Sequence, residues 1–256
     1  MYFLIKLWGG QDREYASFKF FIYTMAGSLG LLLAIQVIGW SMGTFDIPQL
    51  MQTFVNYPAG TKLPVTGVSV DTVKTIGYRA FLVAFAIKVP IWPFHTWLPD
   101  AHTQAPTAGS MILAGVLLKL GAYGFLRIGH SSVPGTVTPD GRNSGNAGYV
   151  EYCPGAYAAF AQWDFKRLVA YSSINHMGFV VLGIAVAAFA YGLNGRSDGL
   201  TLNAVIATNG AVMQMFNHGL SAAGMFFLVG VIYGRTHTRD LEASTAVFGR
   251  SCRSSA

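Results

Sequence analysis

The sequence has very few charged residues, and this deficit decides the class of protein. Only 11% of its 256 residues are charged, whereas 52% are hydrophobic and the mean hydropathy is +0.43. Soluble domains carry about 25% charged residues. This leaves too few polar groups to cover a water-soluble globule, while the chain is long enough for several membrane spans of about 20 residues each. We therefore predict an all-α, polytopic transmembrane helix bundle.

Cysteines, cofactor motifs and clusters of charge are also scarce. Cys153 and Cys252 do not have the spacing of a metal or redox motif, and the sequence contains no glycine-rich nucleotide loop and no haem attachment site. We therefore expect no cofactor in this chain. The net charge of +6 comes from residues at the ends of apolar runs, a pattern that favours a lipid bilayer over nucleic acid. Residues 1–11 lack the features of a signal peptide and resemble the end of a helix whose beginning is missing.

Five apolar segments are long enough to cross a bilayer, and we predict a helix for each because backbone groups in lipid must be paired within the segment. They cover residues 20–40, 80–98, 108–126, 168–191 and 204–233. Pro90 lies within the second segment, so that span is predicted to be a broken helix. Residues 41–74 are predicted to form a polar loop, and residues 99–107 a tight turn.

The stretch 129–163 does not fit this pattern. It is rich in Gly, Ser, Asn and Pro, and it contains no apolar run that could cross a bilayer. The basic residues that flank the neighbouring spans share one side only if a further span lies between Arg127 and Lys166. We interpret the stretch as a disrupted span, which gives five to six spans in total.

The predicted domains are a partial membrane domain over 1–241, disrupted at 129–163, and an aberrant tail over 242–256. A frameshifted or truncated product explains both irregular regions, and a genuine variant is the alternative.

Four ionisable residues lie inside the apolar spans: Lys88, Lys119, His176 and His218. A charged lysine in hydrocarbon costs about 2.5–3.5 kcal/mol on insertion scales, so it normally faces water or a partner. Pro90 opens the helix beside Lys88, and imidazole can pass a proton between its two nitrogens near neutral pH. The set predicts a pathway for protons or cations. The alternatives are a lysine that extends to the interface and histidines with a purely structural role.

Other features of the spans are interpreted as packing or as contacts with the membrane surface. Gly219 and Ala223 are four residues apart and allow close contact between helices. The remaining polar and aromatic residues are expected near the headgroups. They are His95, Asp100, His102, Trp92, Trp97 and Trp163.

Several long motifs resemble one family. The stretch AFAIKVPIWPFHTWLPDAHTQAPTAGSMILAGVLLKLGAYGFLR closely resembles subunit M (the mitochondrial subunit 4) of proton-pumping NADH–quinone oxidoreductase, respiratory complex I. The opening MYFLIKLWGGQDREYASFKFFIYTMAGS and the stretches DFKRLVAYSSINHMGFVVLGI and FNHGLSAAGMFFLVGVIYGRTHTRDL resemble the same family. The multisubunit sodium–proton antiporters share the lysine–proline and WLPDAH themes, but HTQAPTAGS favours subunit M.

The resemblance implies a role for each ionisable residue. Lys88 matches the proton-accepting lysine on a broken helix, Lys119 the bridging lysine, and His176 and His218 the histidines of a central hydrated axis. The glutamate that pairs with the lysine at position 88 in the family lies on a helix that precedes Met1.

The resemblance also implies the setting of the chain. We expect a bacterial plasma membrane more than a mitochondrial inner membrane, and antiporter-like subunits of the L and N types as partners. We also expect NADH, FMN, iron–sulfur clusters and quinone to be held by other subunits. A cation–proton antiporter subunit and a non-functional fragment are the alternatives, and the 99–107 and 235–239 segments are expected to face the cytoplasm.

Overall fold

The computed structural model describes residues 1–56, 60–62, 67–129, 153–192 and 199–242, and these ranges are mostly helical, as predicted. Their only β-pairing consists of isolated bridges. A 3₁₀ turn at Phe94–Thr96 precedes α5, and α6 includes a π-helical turn at Leu113–Leu117. The helices are α1 (Tyr2–Trp8), α2 (Arg13–Met42), α3 (Ile47–Asn56), α4 (Val70–Lys88), α5 (Trp97–Gln104), α6 (Thr107–Ile128), α7 (153–160), α8 (Phe165–Gly192) and α9 (Gly199–Thr236).

Within the described ranges, four helices are long and apolar enough to cross a membrane: α2, α6, α8 and α9. Helix α4 is not among them because its 19 residues include four charged side chains, at Asp71, Lys74, Arg79 and Lys88. The predicted fold class is confirmed. The predicted disruption at 129–163 falls largely on residues 130–152, which lie outside the described residues, as does the tail from residue 243.

The break predicted at Pro90 is observed, and the protein satisfies the carbonyl groups around it. Helix α4 ends at Lys88, and Val89 N–H donates to Phe85 O at 2.8 Å. Pro90 has no N–H to donate to Ala86 O, and the N–H of Ile91 donates to that carbonyl instead, at 2.8 Å. The indole Nε1 of Trp97 donates to Ile87 O at 2.9 Å. The chain can therefore leave the helix without buried, unpaired carbonyls at these positions.

Two predicted loops are wrong, because both regions contain helices. Residues 41–74 include α3 and the start of α4, where the Ser69 side chain accepts a hydrogen bond from Thr72 N–H at 3.2 Å. Residues 99–107 fall largely in α5. Pro48 and Pro99 each lie in the first turn of a helix, where a missing N–H costs no hydrogen bond.

Close contacts hold the ends of the helices together. Arg239 Nη1, just beyond α9, donates to Thr103 O of α5 at 2.6 Å. Lys19 of α2 forms an ion pair with Asp100 of α5 at 2.6 Å. The α5 segment and the residues that follow α9 therefore lie at the same end of the bundle, the end that the sequence predicts to be cytoplasmic.

Candidate functional site

Lys119 and His218 form the centre of the candidate site. The Lys119 Nζ lies 2.7 Å from His218 Nδ1, which joins the middle of α6 to the middle of α9. His218 is buried, with 2% of its surface exposed, and no described residue forms a hydrogen bond with its Nε2. A lysine and a histidine in direct contact can exchange a proton, because an ammonium is a donor and a neutral imidazole nitrogen an acceptor.

The backbone of α6 helps to orient Lys119. Its Nζ also donates to the carbonyl oxygen of Ala114, within the π-helical turn Leu113–Leu117. A π turn widens the helix and weakens the regular ladder of hydrogen bonds, and such turns are frequent at functional sites. Here the wider turn lets a backbone carbonyl serve as a partner for the ammonium group.

Glycines allow α6 and α9 to approach closely at this point. A Cβ added to Gly219 would lie 3.2 Å from Gly115 O and 3.7 Å from Lys119 Cε. The close approach brings the Lys119 side chain to the neighbouring His218. The predicted packing role of the small residues around Gly219 agrees with these contacts, and the packing also positions the chemistry.

His176 extends this arrangement onto α8. Its ring centroid lies 5.6 Å from that of His218, and its Nδ1 lies 3.2 Å from Gln214 Nε2. His176 is exposed in this structure, unlike His218. Three of the four predicted site residues, Lys119, His218 and His176, therefore lie in one series across three helices, in which Lys119 and His218 are in direct contact.

Lys88 lies apart from this series. It is the last residue of α4, directly before the predicted break at Pro90. The side chain borders a cavity of about 230 Å³ between α2, α4 and α6, which is also lined by Thr24 and Ser28. No hydrogen bond or ion pair joins Lys88 to another residue in the described part of the chain.

The backbone beside Lys88 is nevertheless tightly packed against the helix that carries Lys119. A Cβ added to Gly121 would lie 2.8 Å from Lys88 Cβ and 2.8 Å from Val89 Cγ2. The broken end of α4 and the middle of α6 therefore form one contact region.

His102 is buried, although the sequence analysis did not place it among the candidate site residues. It was expected near the membrane surface, but it is 0% exposed and its ring stacks on Phe226 at a centroid distance of 4.5 Å. Leu98, Ala101 and Ala105 share its face of α5 and are also buried. A spacing of three or four residues is typical of the buried face of a helix. It would have predicted the burial of His102 if 99–107 had been predicted as a helix and not as a turn.

Burial keeps His102 neutral. The loss of hydration lowers its pKa well below the ordinary 6.5, and the charge on Lys166 lowers it further, followed by His218 and Lys119. No described residue forms a hydrogen bond with either ring nitrogen. His95 is only half-buried, and its pKa is lowered by burial and then by Lys19.

The tryptophans divide into two groups. Trp92 and Trp163 are 57% and 67% exposed, and their depth at the headgroups stays a prediction. Trp97 is only 2% exposed, so its predicted interfacial position is wrong. Its indole is buried at the helix break, where its Nε1 donates a hydrogen bond to Ile87 O.

Comparisons with known proteins agree with this architecture. The family model described as "NADH:quinone oxidoreductase/Mrp antiporter, TM" matches residues 1–196. NADH-quinone oxidoreductase subunit M of Rhodobacter capsulatus is 42% identical over 98% of this chain and 46% of its own length. NAD(P)H-quinone oxidoreductase chain 4 2 of Thermosynechococcus vestitus is 42% identical over 96% of this chain and 41% of its own length.

Two solved structures of membrane complexes contain chains with a similar fold. A chain of respiratory complex I from Thermus thermophilus aligns with a TM-score of 0.74 and 27% identity over 94% of this chain and 45% of that one. A chain of an archaeal membrane-bound sulfane sulfur reductase aligns with a TM-score of 0.70 and 25% identity over 92% of this chain and 35% of that one. The chain thus spans less than half the length of these relatives.

Proposed function

This chain belongs to the NADH:quinone oxidoreductase/Mrp antiporter transmembrane family, and we propose that it is part of a proton-translocating membrane subunit of an NADH–quinone oxidoreductase, of the subunit M type. The subunit moves protons, while electron transfer takes place elsewhere in the complex. The high identity with proteins named as subunit M and chain 4 supports this choice within the family.

The contact between Lys119 and His218 is the observation that carries the proposal. A proton on Lys119 Nζ can pass to His218 Nδ1 over 2.7 Å, and the opposite ring nitrogen of His218 can release one. His176 is the next proton carrier, with water completing the gaps, since the two rings are 5.6 Å apart between centroids. Lys88 loads the pathway from the cavity beside the broken helix.

The setting follows from the family. The complex is proposed to lie in a bacterial plasma membrane, with antiporter-like subunits of the L and N types next to this one. NADH, FMN, iron–sulfur clusters and quinone belong to other subunits, and we propose no cofactor for this chain.

The experiment replaces Lys88 in an intact subunit that contains this segment. We expect Lys88→Met to remove most proton translocation and to slow quinone reduction, because coupling makes electron transfer depend on the pathway. Lys88→Arg should give little recovery, since a guanidinium stays protonated and cannot cycle. Both activities are measured in membrane vesicles.

A matched control is Lys6→Met, which removes a lysine from the exposed surface of α1. It should leave both activities close to those of the parent. Full proton translocation by Lys88→Met would end the assignment of Lys88 to the pathway.

A second candidate is a subunit of a multisubunit cation–proton antiporter, because the matching family model covers both kinds of protein. Genes for respiratory subunits beside this one would favour the oxidoreductase, and genes for antiporter subunits the alternative.

A further inference from the structure

A second cavity, at the end of the bundle near α5, is distinct from the proton-carrying series. It has a volume of about 250 Å³ and lies between the end of α1, the junction of α5 with α6, and the last turns of α9. The lining residues that matter here are Trp8, Thr107, Lys166, Val229, Tyr233 and Arg239. The proton pathway does not use any of them.

Two cations border this cavity, and its lining contains no carboxylate among the residues that the structure describes. Lys166 is 6% exposed, and its ammonium donates to the carbonyl of Ala105. Arg239 donates through Nη1 to Thr103 O at 2.6 Å, and its guanidinium lies 5.1 Å from the centre of the Tyr233 ring. These bonds hold both cations in place with carbonyl oxygens and an aromatic ring.

Asp164 forms an ion pair with one of these two cations. Its Oδ2 lies 4.0 Å from Arg239 Nε. Its Oδ1 accepts hydrogen bonds from the backbone N–H groups of Lys166 and Arg167, at 2.8 and 3.0 Å, and so caps the start of α8. The Asp164 carboxylate is thus partly engaged by the backbone, and the charged side chains that line the cavity itself are the two cations Lys166 and Arg239.

The rest of the cavity suits the upper part of a lipid. Val229 supplies a buried apolar wall, while Trp8 and Tyr233 are 64% and 44% exposed at the rim. Aromatic side chains with one apolar and one polar end favour the depth of the headgroups. Basic pockets between transmembrane helices bind anionic headgroups.

We propose that this cavity binds a phosphate group through Lys166 and Arg239, and that the phosphate is supplied by an anionic phospholipid. The lipid would bridge α1, the α5–α6 junction and α9. It would therefore fix the relative positions of α6 and α9, the two helices that bring Lys119 and His218 together.

The test measures thermal unfolding of the whole chain in a neutral detergent. Phosphatidylglycerol should raise the unfolding midpoint more than phosphatidylcholine at the same concentration, because ligand that binds only the folded state stabilises it. Inorganic phosphate is the third addition. A shift with phosphate equal to that with phosphatidylglycerol would support the site and identify free phosphate as its source.

Two double variants distinguish binding in this cavity from a general effect of positive surface charge on lipid affinity. Lys166→Gln with Arg239→Gln should weaken the apparent affinity for phosphatidylglycerol at least tenfold. The control, Arg167→Gln with Arg235→Gln, removes the same charge from exposed neighbours outside the lining and should leave the affinity within a factor of two. Equal losses in the two double variants would overturn the proposal.

A second measurement keeps both Lys166 and Arg239 and does not use the charge-removing variants. In the parent chain, brominated phosphatidylglycerol should quench the fluorescence of Trp8 more than brominated phosphatidylcholine does, with Trp8→Phe used to subtract the other tryptophans. Equal quenching by the two lipids, together with no stabilisation by phosphatidylglycerol or phosphate, would overturn the site.

Discussion

Lys119 and His218 are 99 residues apart in the sequence, and they meet because two helices cross where both have glycine. The ammonium of Lys119 also has a backbone carbonyl as a partner, so a charge at this depth is partly compensated. A residue's chemistry in this protein depends on such partners. Lys88, which the sequence ranks equally with Lys119, has no comparable hydrogen bond among the described residues.

His102 gives a prediction at the residue scale, namely that acid destabilises the chain through this side chain. Its pKa in the folded chain is well below 6.5, so the folded form stays neutral while the unfolded form binds a proton as the pH falls through 6.5. The unfolding free energy should therefore decrease with falling pH, by up to about 1.4 kcal/mol per pH unit for this one group.

The measurement compares unfolding of the parent chain and of His102→Met in detergent between about pH 5 and 7. The unfolding free energy of the variant should depend less on pH, and the difference in slope should correspond to close to one bound proton. The exposed residue His237 serves as control through His237→Gln, which removes a histidine without emptying a buried position. An unchanged pH dependence in His102→Met would contradict the assignment.

At the scale of helices, the interruptions of regular structure coincide with the candidate site. Helix α4 breaks next to Lys88, and α6 contains a π turn next to Lys119. Both interruptions bring backbone carbonyls into other hydrogen bonds, with Trp97 in the first case and with the Lys119 side chain in the second. The two helices touch at Gly121, where the broken end of α4 requires the absence of a side chain.

Gly121 gives the prediction at this scale. In Gly121→Ala the new Cβ would lie 2.8 Å from Lys88 Cβ and 3.2 Å from the backbone nitrogen of Val89, so α4 and α6 must separate. We expect the unfolding free energy to fall by about 1–3 kcal/mol, as for other overpacked contacts.

The matched control is Gly210→Ala on α9, because a Cβ there would have no heavy atom within 4 Å apart from its chain neighbours and the adjacent backbone of its own helix. It should leave the stability unchanged or increase it by up to about 1 kcal/mol through better helix propensity. Thermal unfolding in detergent measures both variants. If Gly121→Ala is as stable as Gly210→Ala, the contact between α4 and α6 is not as close as described.

At the scale of the whole molecule, the chain spans less than half the length of its relatives, although it includes the broken helix and the series from Lys119 to His176. His176 lies at the exposed end of that series. A polar side chain exposed on an apolar helix is costly in lipid, so a partner or water is expected to cover it in an assembled complex.

We therefore predict that this chain alone does not transport protons. Lys88 has no acidic partner among the described residues, and the series of proton carriers ends at an exposed histidine. The test reconstitutes the purified chain in liposomes and records the decay of an imposed pH gradient with a fluorescent dye. Decay above that of protein-free liposomes, and abolished by Lys119→Met, would show that the chain is a complete pathway by itself.

The amino-acid sequence is enough to assign the class of the protein, because a charge content of 11% and long apolar runs indicate a membrane-embedded helical bundle. It also determined the break at Pro90, since proline has no N–H, and the four ionisable residues inside apolar runs. Local composition is enough for these conclusions. The prediction of loops from the sequence was wrong where proline occupies the first turn of a helix, as in α3 and α5, because proline is also common in loops.

Which of these residues lie close together depends on the tertiary structure. The contact between Lys119 and His218 depends on the crossing of α6 and α9, and the burial of His102 depends on the packing of α5 against Phe226. The separation of Lys88 from the series, and the pairing of Lys166 and Arg239 at one cavity, likewise involve residues that are distant in the chain. Such contacts arise from how helix surfaces fit one another, and periodicity within a single helix does not contain that information.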